Sequence, residues 1–133
     1  MKVFLDTNVL VSAFATRGLG ADVLRVLKAE HELVTSEVVL DGLQRVLAEK
    51  IGAPATAIDA AVALLRKHHV EPRAADPYLL DIDDDDDEWV VASVVSCNAD
   101  VFVTGDRQLL DGVGEVEGIR FLSPREFWEL LSR

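Results

Sequence analysis

At 133 residues, half of them hydrophobic, the chain suits one globular domain with a real core, and no apolar stretch is long enough to span a bilayer. An excess of 24 Asp and Glu over 13 Lys and Arg gives a net charge of −11. That balance argues against gripping nucleic acid by bulk electrostatics, while it suits carboxylate ligation of a hard divalent cation.

The opening KVFLDTNVLV meets charged and polar residues too soon for a secretory leader. It reads as a short strand that breaks at Asp6-Thr7-Asn8. ADVLRVLKAE places Val23, Leu24, Val26 and Leu27 at helical spacing after Gly18 and Gly20. HELVTS is a second strand. Ser36 is placed to cap the helix EVVLDGLQRVLAEK, with Glu37 at its positive end, and Gly52 and Pro54 stop it. Thr56 and Asp59 suggest a variant capping box for AIDAAVALLRKHH, with Lys67, His68 and His69 closing that helix. EWVVASVVSCNA follows as a helix, carrying the lone Cys97 as a small buried hydrophobe. One cysteine excludes an internal disulfide and fits a reducing cytoplasm. DVFVTGD reads as a buried strand and GIRFL as another. SPREFWELL closes the chain as a helix with Ser123 as cap, Pro124 at its first position and Glu126 completing a capping box.

Strands alternating with helices imply a parallel sheet covered on both faces, with ligands beyond the carboxyl ends of its strands. Asp6 lies where the first strand ends and Asp106 where VFVT ends. DIDDDDDE, residues 81 to 88, sits just before a helix and can reach the same edge. A run of acids is ordinarily a solvated surface, and that reading suits Asp81, Asp83, Asp85 and Asp86. Carboxylates that converge from separate strands repel unless a cation holds them. Mg2+ or Mn2+ takes oxygen ligands of this kind. No Cys or His spacing suggests zinc, and RGLGAD lacks the pattern of a phosphate loop. His68 and His69 read as an exposed helix end, and Trp89 and Trp128 as core or interface anchors. Arg17, Arg25, Lys28, Arg45, Lys50 and Arg107 are the cations available to flank a site.

FLDTNVLVSA, SEVVLDGLQRVL, DDDDDEWVVA, ADVFVTGD and FLSPREFWELL, in this order, resemble the PIN domain, and more closely the VapC-like group of toxin–antitoxin ribonucleases. The resemblance covers nearly the whole chain, and LDTNVL with VTGD is its specific part. It implies a single domain over residues 1–133, an α/β fold built as a three-layer α/β/α sandwich on a central, mostly parallel sheet. It also implies a cytoplasmic endoribonuclease that cleaves single-stranded RNA with Mg2+ or Mn2+, partnered by an antitoxin protein and forming a homodimer. Carried over residue by residue, the catalytic acids fall on Asp6, Asp87 and Asp106, with Asp84 as a further metal ligand. Thr7, Asn8 and Thr104 fall beside them as groups that orient acids or waters.

One position departs from the family pattern. Gly42 stands where the family commonly has a glutamate. Asp41 is its neighbour, but a helix turns by about 100° per residue, which aims that side chain elsewhere. The departure bears on catalysis, not fold. It keeps open a second reading, a catalytically weak PIN fold that binds RNA or protein. A phospho-acceptor signalling domain, also parallel α/β with acids at strand ends, lacks its lysine after a late strand.

Overall fold

The computed structural model describes all 133 residues. KVFL forms β1 (Lys2–Leu5), in which Val3, Phe4 and Leu5 are fully buried. Side chains alternate across a strand, so consecutive buried residues require cover on both faces. β1 pairs in parallel with β2 (Glu32–Ser36) on one side and β4 (Val101–Val103) on the other. β3 (His69–Glu71) extends the sheet beyond β2, and β6 (Ile119–Leu122) extends it beyond β4, both in parallel. β5 (Glu115–Val116) closes the far edge antiparallel to β6. The order is therefore β3-β2-β1-β4-β6-β5.

Seven α-helices flank this sheet: α1 (Thr7–Ala15), α2 (Leu19–Glu30), α3 (Glu37–Val46), α4 (Ala55–Leu65), α5 (Asp85–Ser96), α6 (Arg107–Gly112) and α7 (Pro124–Leu131). The layers make the expected α/β/α sandwich. Three phenylalanines brace its centre across neighbouring strands. Phe102 meets Phe4 edge-on at 5.6 Å and Phe121 at 4.9 Å, a geometry aromatic quadrupoles favour. Cys97 is buried at the end of α5, as expected of a small hydrophobe.

Most local signals act as their chemistry predicts. Ser36 accepts from the Val39 amide, and Ser123 and Glu126 complete their reciprocal box. Gly52 leaves the α3 segment at φ 73°, a conformation that suits glycine. The end of that helix differs from expectation, widening into a π-helical turn over Leu47–Ile51.

The helix α4 corrects two expectations. It begins at Ala55, behind Pro54, with no side-chain cap, so Thr56 and Asp59 form no capping box. Pro54 is extended, at φ −67° and ψ 150°, and as N-cap it starts the helix two residues too early for Thr56 to serve. Lys67, His68 and His69 do not close the helix either, because His69 enters β3 against Val34 and its ring lies 2.7 Å from Glu71. Glu37 does more than face a helix dipole. It pairs bidentately with Arg66 at 2.7 and 3.0 Å, which lowers its pKa.

Candidate metal centre

The chain runs from β1 outward through β2 and β3, then returns to lay β4 on the opposite side of β1. Two neighbouring strands whose connections depart in opposite directions leave a crevice at their carboxyl ends. Register places Leu5 opposite Val103 at that point. Asp6 and Thr104, the next residue in each strand, are thereby side by side.

Asp6 is almost wholly buried and caps α1. Its Oδ1 accepts from the Thr7 amide at 2.8 Å. Its Oδ2 accepts from the Thr104 hydroxyl at 2.7 Å and from Asn8 Nδ2 at 3.2 Å. Thr104 Oγ1 in turn accepts from the Asp106 amide at 3.0 Å, and Asn8 Oδ1 accepts from the Gly105 amide at 2.8 Å. A Cβ at residue 105 would stand 3.2 Å from Asn8 Oδ1, so glycine permits this approach. Thr104 and Asn8 therefore tie the end of β1 to the turn after β4 and fix the Asp6 carboxylate. Thr7 contributes its amide to Asp6. Its side chain faces Gly42 instead.

Burial raises the Asp6 pKa, with the charge of Asp106 adding to it, against the opposing hydrogen bonds. Asp106 caps α6, its Oδ1 accepting from the Gln108 and Leu109 amides at 2.9 and 3.4 Å. Asp84 caps α5, accepting from Asp86 N at 2.9 Å. Asp87 lies in the first turn of that helix, buried, with Oδ2 lacking any hydrogen-bond partner. Its pKa is pushed up to about 8. Burial is the largest cause, then a hydrogen bond to Asp106, then the charges of Asp106, Asp6 and Asp84. Three other acids, each from a separate segment, thus act electrically on one carboxyl. Glu88 beside it faces another way, accepting from the Leu80 amide at 2.6 Å and pinning the incoming segment to α5.

No three of these groups are drawn together as a ready-made cation cage. In kind, though, they fit a hard divalent ion. The donors are all carboxylate oxygens, and Asp87 Oδ2 is sealed from solvent without a proton donor. Burial and the neighbouring acids together raise its pKa, and a bound cation would oppose both effects.

A cleft of about 570 Å3 opens beside this cluster. Asp6, Asp84 and Asp87 line it, while Asp106 does not. Gly42 lies on the wall, where a Cβ would come within 3.2 Å of Thr7 Oγ1. Asp41 also borders the cleft, contrary to the expectation that its side chain is aimed elsewhere, and Arg73 meets it at 3.5 Å. Val38, Asp41, Gly42, Arg45 and Val46 form one stripe at helical spacing, broad enough to present both residues 41 and 42.

Of the six cations considered in the sequence, only Arg45 and Lys50 reach this cleft. Arg25 and Arg107 pair with Asp22 and Asp111 instead, and Arg17 and Lys28 do not line it. Arg73 was missed because EPRAAD carries no periodic signal that assigns it a face. Trp89 is half-buried on the cleft wall, with the Arg73 guanidinium 5.9 Å from its ring. Its place two residues after Asp87, in the first turns of a helix starting at the site, was the available clue. Trp128 does pack against the core.

A family model described as PIN domain matches residues 2–108, a span that includes Asp6, Asp87 and Asp106. No curated protein matches the sequence. Among solved structures, VapBC2 from Rickettsia felis bound to a DNA fragment from its promoter aligns with a TM-score of 0.68 at 16% identity, covering 92% of this chain and 98% of that one. A toxin–antitoxin complex from Klebsiella pneumoniae aligns at 0.65 with 16% identity, covering 92% and 97%. VapC20 of Mycobacterium tuberculosis, a sarcin–ricin-loop-cleaving toxin, aligns at 0.63 with 20% identity, covering 89% and 98%. At these identities the likeness is one of fold.

Proposed function

The chain belongs to the PIN domain family, and from that premise we propose that it is an endoribonuclease dependent on Mg2+ or Mn2+, cleaving single-stranded RNA as the toxin of a toxin–antitoxin pair. The observation that carries this reading is Asp87. It is buried, its Oδ2 is unpartnered, and its pKa is pushed to about 8 by burial and by three other acids. Such an arrangement costs stability unless something positive binds there. The solved neighbours include toxin–antitoxin complexes and an RNA-cleaving toxin. They support an antitoxin partner and an RNA substrate for this chain. A homodimer working in the cytoplasm belongs to the same reading.

Asp6, Asp87 and Asp106 would hold the ion, with Asp84 near them. A divalent ion there supplies Lewis-acid polarisation of the phosphodiester and lowers the pKa of an attacking water. The chain's own part is positional. Thr104 and Asn8 keep Asp6 in one orientation, and the cap hydrogen bonds on Oδ1 fix Asp106. Asp87 gives up its proton when the site is filled. Arg45, Lys50 and Arg73 offset the acids for an incoming phosphate backbone.

Gly42 favours a second reading. The α3 wall lacks a carboxylate where the family commonly has one, and Asp41 is engaged by Arg73. A PIN fold with weak catalysis that acts by binding RNA or protein would accommodate that loss. Incubating the protein with single-stranded RNA in Mn2+ and again in EDTA separates the two readings. Cleavage in Mn2+ that EDTA abolishes supports the nuclease. Binding without cleavage in either condition supports the binding module.

A further inference from the structure

In a molecule with net charge −11, three cations meet at one cleft. Arg45 and Lys50 line it with no carboxylate at ion-pair distance. Arg73 lines it too, held by Asp41 at 3.5 Å, with both side chains more than half exposed. An exposed pair of that length contributes little stability, so a phosphate can take the place of Asp41 at small cost. A guanidinium matches a phosphate with two parallel donors. Trp89 also lines the cleft, with the Arg73 guanidinium over its ring at 5.9 Å, and is not part of the hydrophobic core. Trp89 and Asp87 both line the cleft. Anything that stacks on Trp89 therefore shares the cleft with the acids.

We propose that Arg73 and Trp89 form a nucleotide subsite next to the acid cluster, Arg73 binding a phosphate adjacent to the one cleaved and Trp89 stacking on its base. The subsite rests on the ribonuclease reading and deepens it by naming what selects a single strand. A base inside a duplex has both faces covered by its neighbours, whereas an unpaired base can be laid on an indole. Asp41 acts as the placeholder that keeps Arg73 in the cleft until RNA arrives.

The test measures fluorescence anisotropy of a labelled single-stranded RNA oligonucleotide with the full-length protein in EDTA, across a salt series. Cleavage of the same RNA is assayed separately in Mn2+. Arg73→Ala should weaken binding by roughly tenfold and flatten the salt dependence by about 0.7 in log–log slope, the signature of one lost phosphate contact. A merely structural loss would not move that slope by one contact. Trp89→Ala should weaken binding by roughly tenfold as a lost stacking contact does, and Trp89→Phe should retain most of it. Arg17→Ala, off the cleft, serves as control and should bind as wild type. The same sequence as a duplex should bind less tightly than the single strand. Should Trp89→Ala fail to fold, the quenching of Trp89 by RNA in a Trp128→Phe background replaces it, and quenching is expected. Binding of Arg73→Ala and Trp89→Ala within twofold of wild type, or equal affinity for the duplex, overturns the subsite. If Mn2+-dependent cleavage persists in that case, the nuclease reading stands without it. If the wild-type protein neither binds nor cleaves single-stranded RNA, both fall together.

Discussion

The hydroxyl of Thr104 donates to Asp6 Oδ2 at 2.7 Å across 98 residues of chain, and Thr104 Oγ1 accepts from the amide of Asp106. One side chain thus orients the Asp6 carboxylate and anchors the backbone of Asp106. Thr104→Val keeps the shape and removes both bonds. It should cost about 1–3 kcal/mol in urea unfolding, because it leaves a buried carboxylate and amide short of partners. Thr104→Ser should recover most of that loss. If Thr104→Val is as stable as wild type, the hydroxyl does not hold the two strand ends together.

The raised pKa of Asp87 has a consequence for pH. Its folded value is about 8 against an ordinary 3.8, so between those limits the folded chain holds a proton that the unfolded chain has released. Stability is then greatest at the acid end of that window and falls as pH rises toward 8. Asp6, also raised, contributes with the same sign. Thermal midpoints of the metal-free protein should therefore decline from pH 5 to pH 8, and Asp87→Asn should flatten the decline. Mn2+ should bind more tightly as pH rises, since the ion must displace that proton. A midpoint that climbs across this range, unchanged by Asp87→Asn, would contradict the electrostatic picture.

Much of this site was legible in the sequence because its parts sit at element boundaries. A strand that ends on Asp6 and another that ends before Asp106 place both acids by topology alone. Register then sets Asp6 beside Thr104 without any sequence signal for that contact. That Asp84 caps α5 was not legible, because six adjacent acids offer several equivalent caps and only packing chooses. Arg73 and its contact with Asp41 were not legible. They join an irregular segment to a helix 32 positions earlier, and no periodicity encodes that distance. The strand β3 was hidden likewise, since three residues at a sheet edge carry too short a pattern to distinguish from a helix end.

At Gly42 two effects compete. Alanine in a helix interior is favoured over glycine by about 1 kcal/mol, but a Cβ there meets Thr7 Oγ1 at 3.2 Å, which must give by a few tenths of an ångström. Gly42→Ala should therefore gain less than the full amount, and Gly42→Ala with Thr7→Ala should couple favourably in a double-mutant cycle. Gly42→Glu should bind Mn2+ more tightly and cleave RNA faster than Gly42→Ala. Equal behaviour of the glutamate and alanine variants would show that position 42 is not the missing ligand.

The most direct test of the central claim is a calorimetric titration with Mn2+. Wild-type protein should give a binding isotherm that disappears in Asp6→Asn and weakens strongly in Asp87→Asn. The exposed neighbours Asp83→Asn and Asp85→Asn should leave it nearly intact. An isotherm unchanged in Asp6→Asn, or losses of equal size at Asp83, Asp85 and Asp87, would contradict a metal centre at the strand edge and leave the acidic run as a diffuse cation sink.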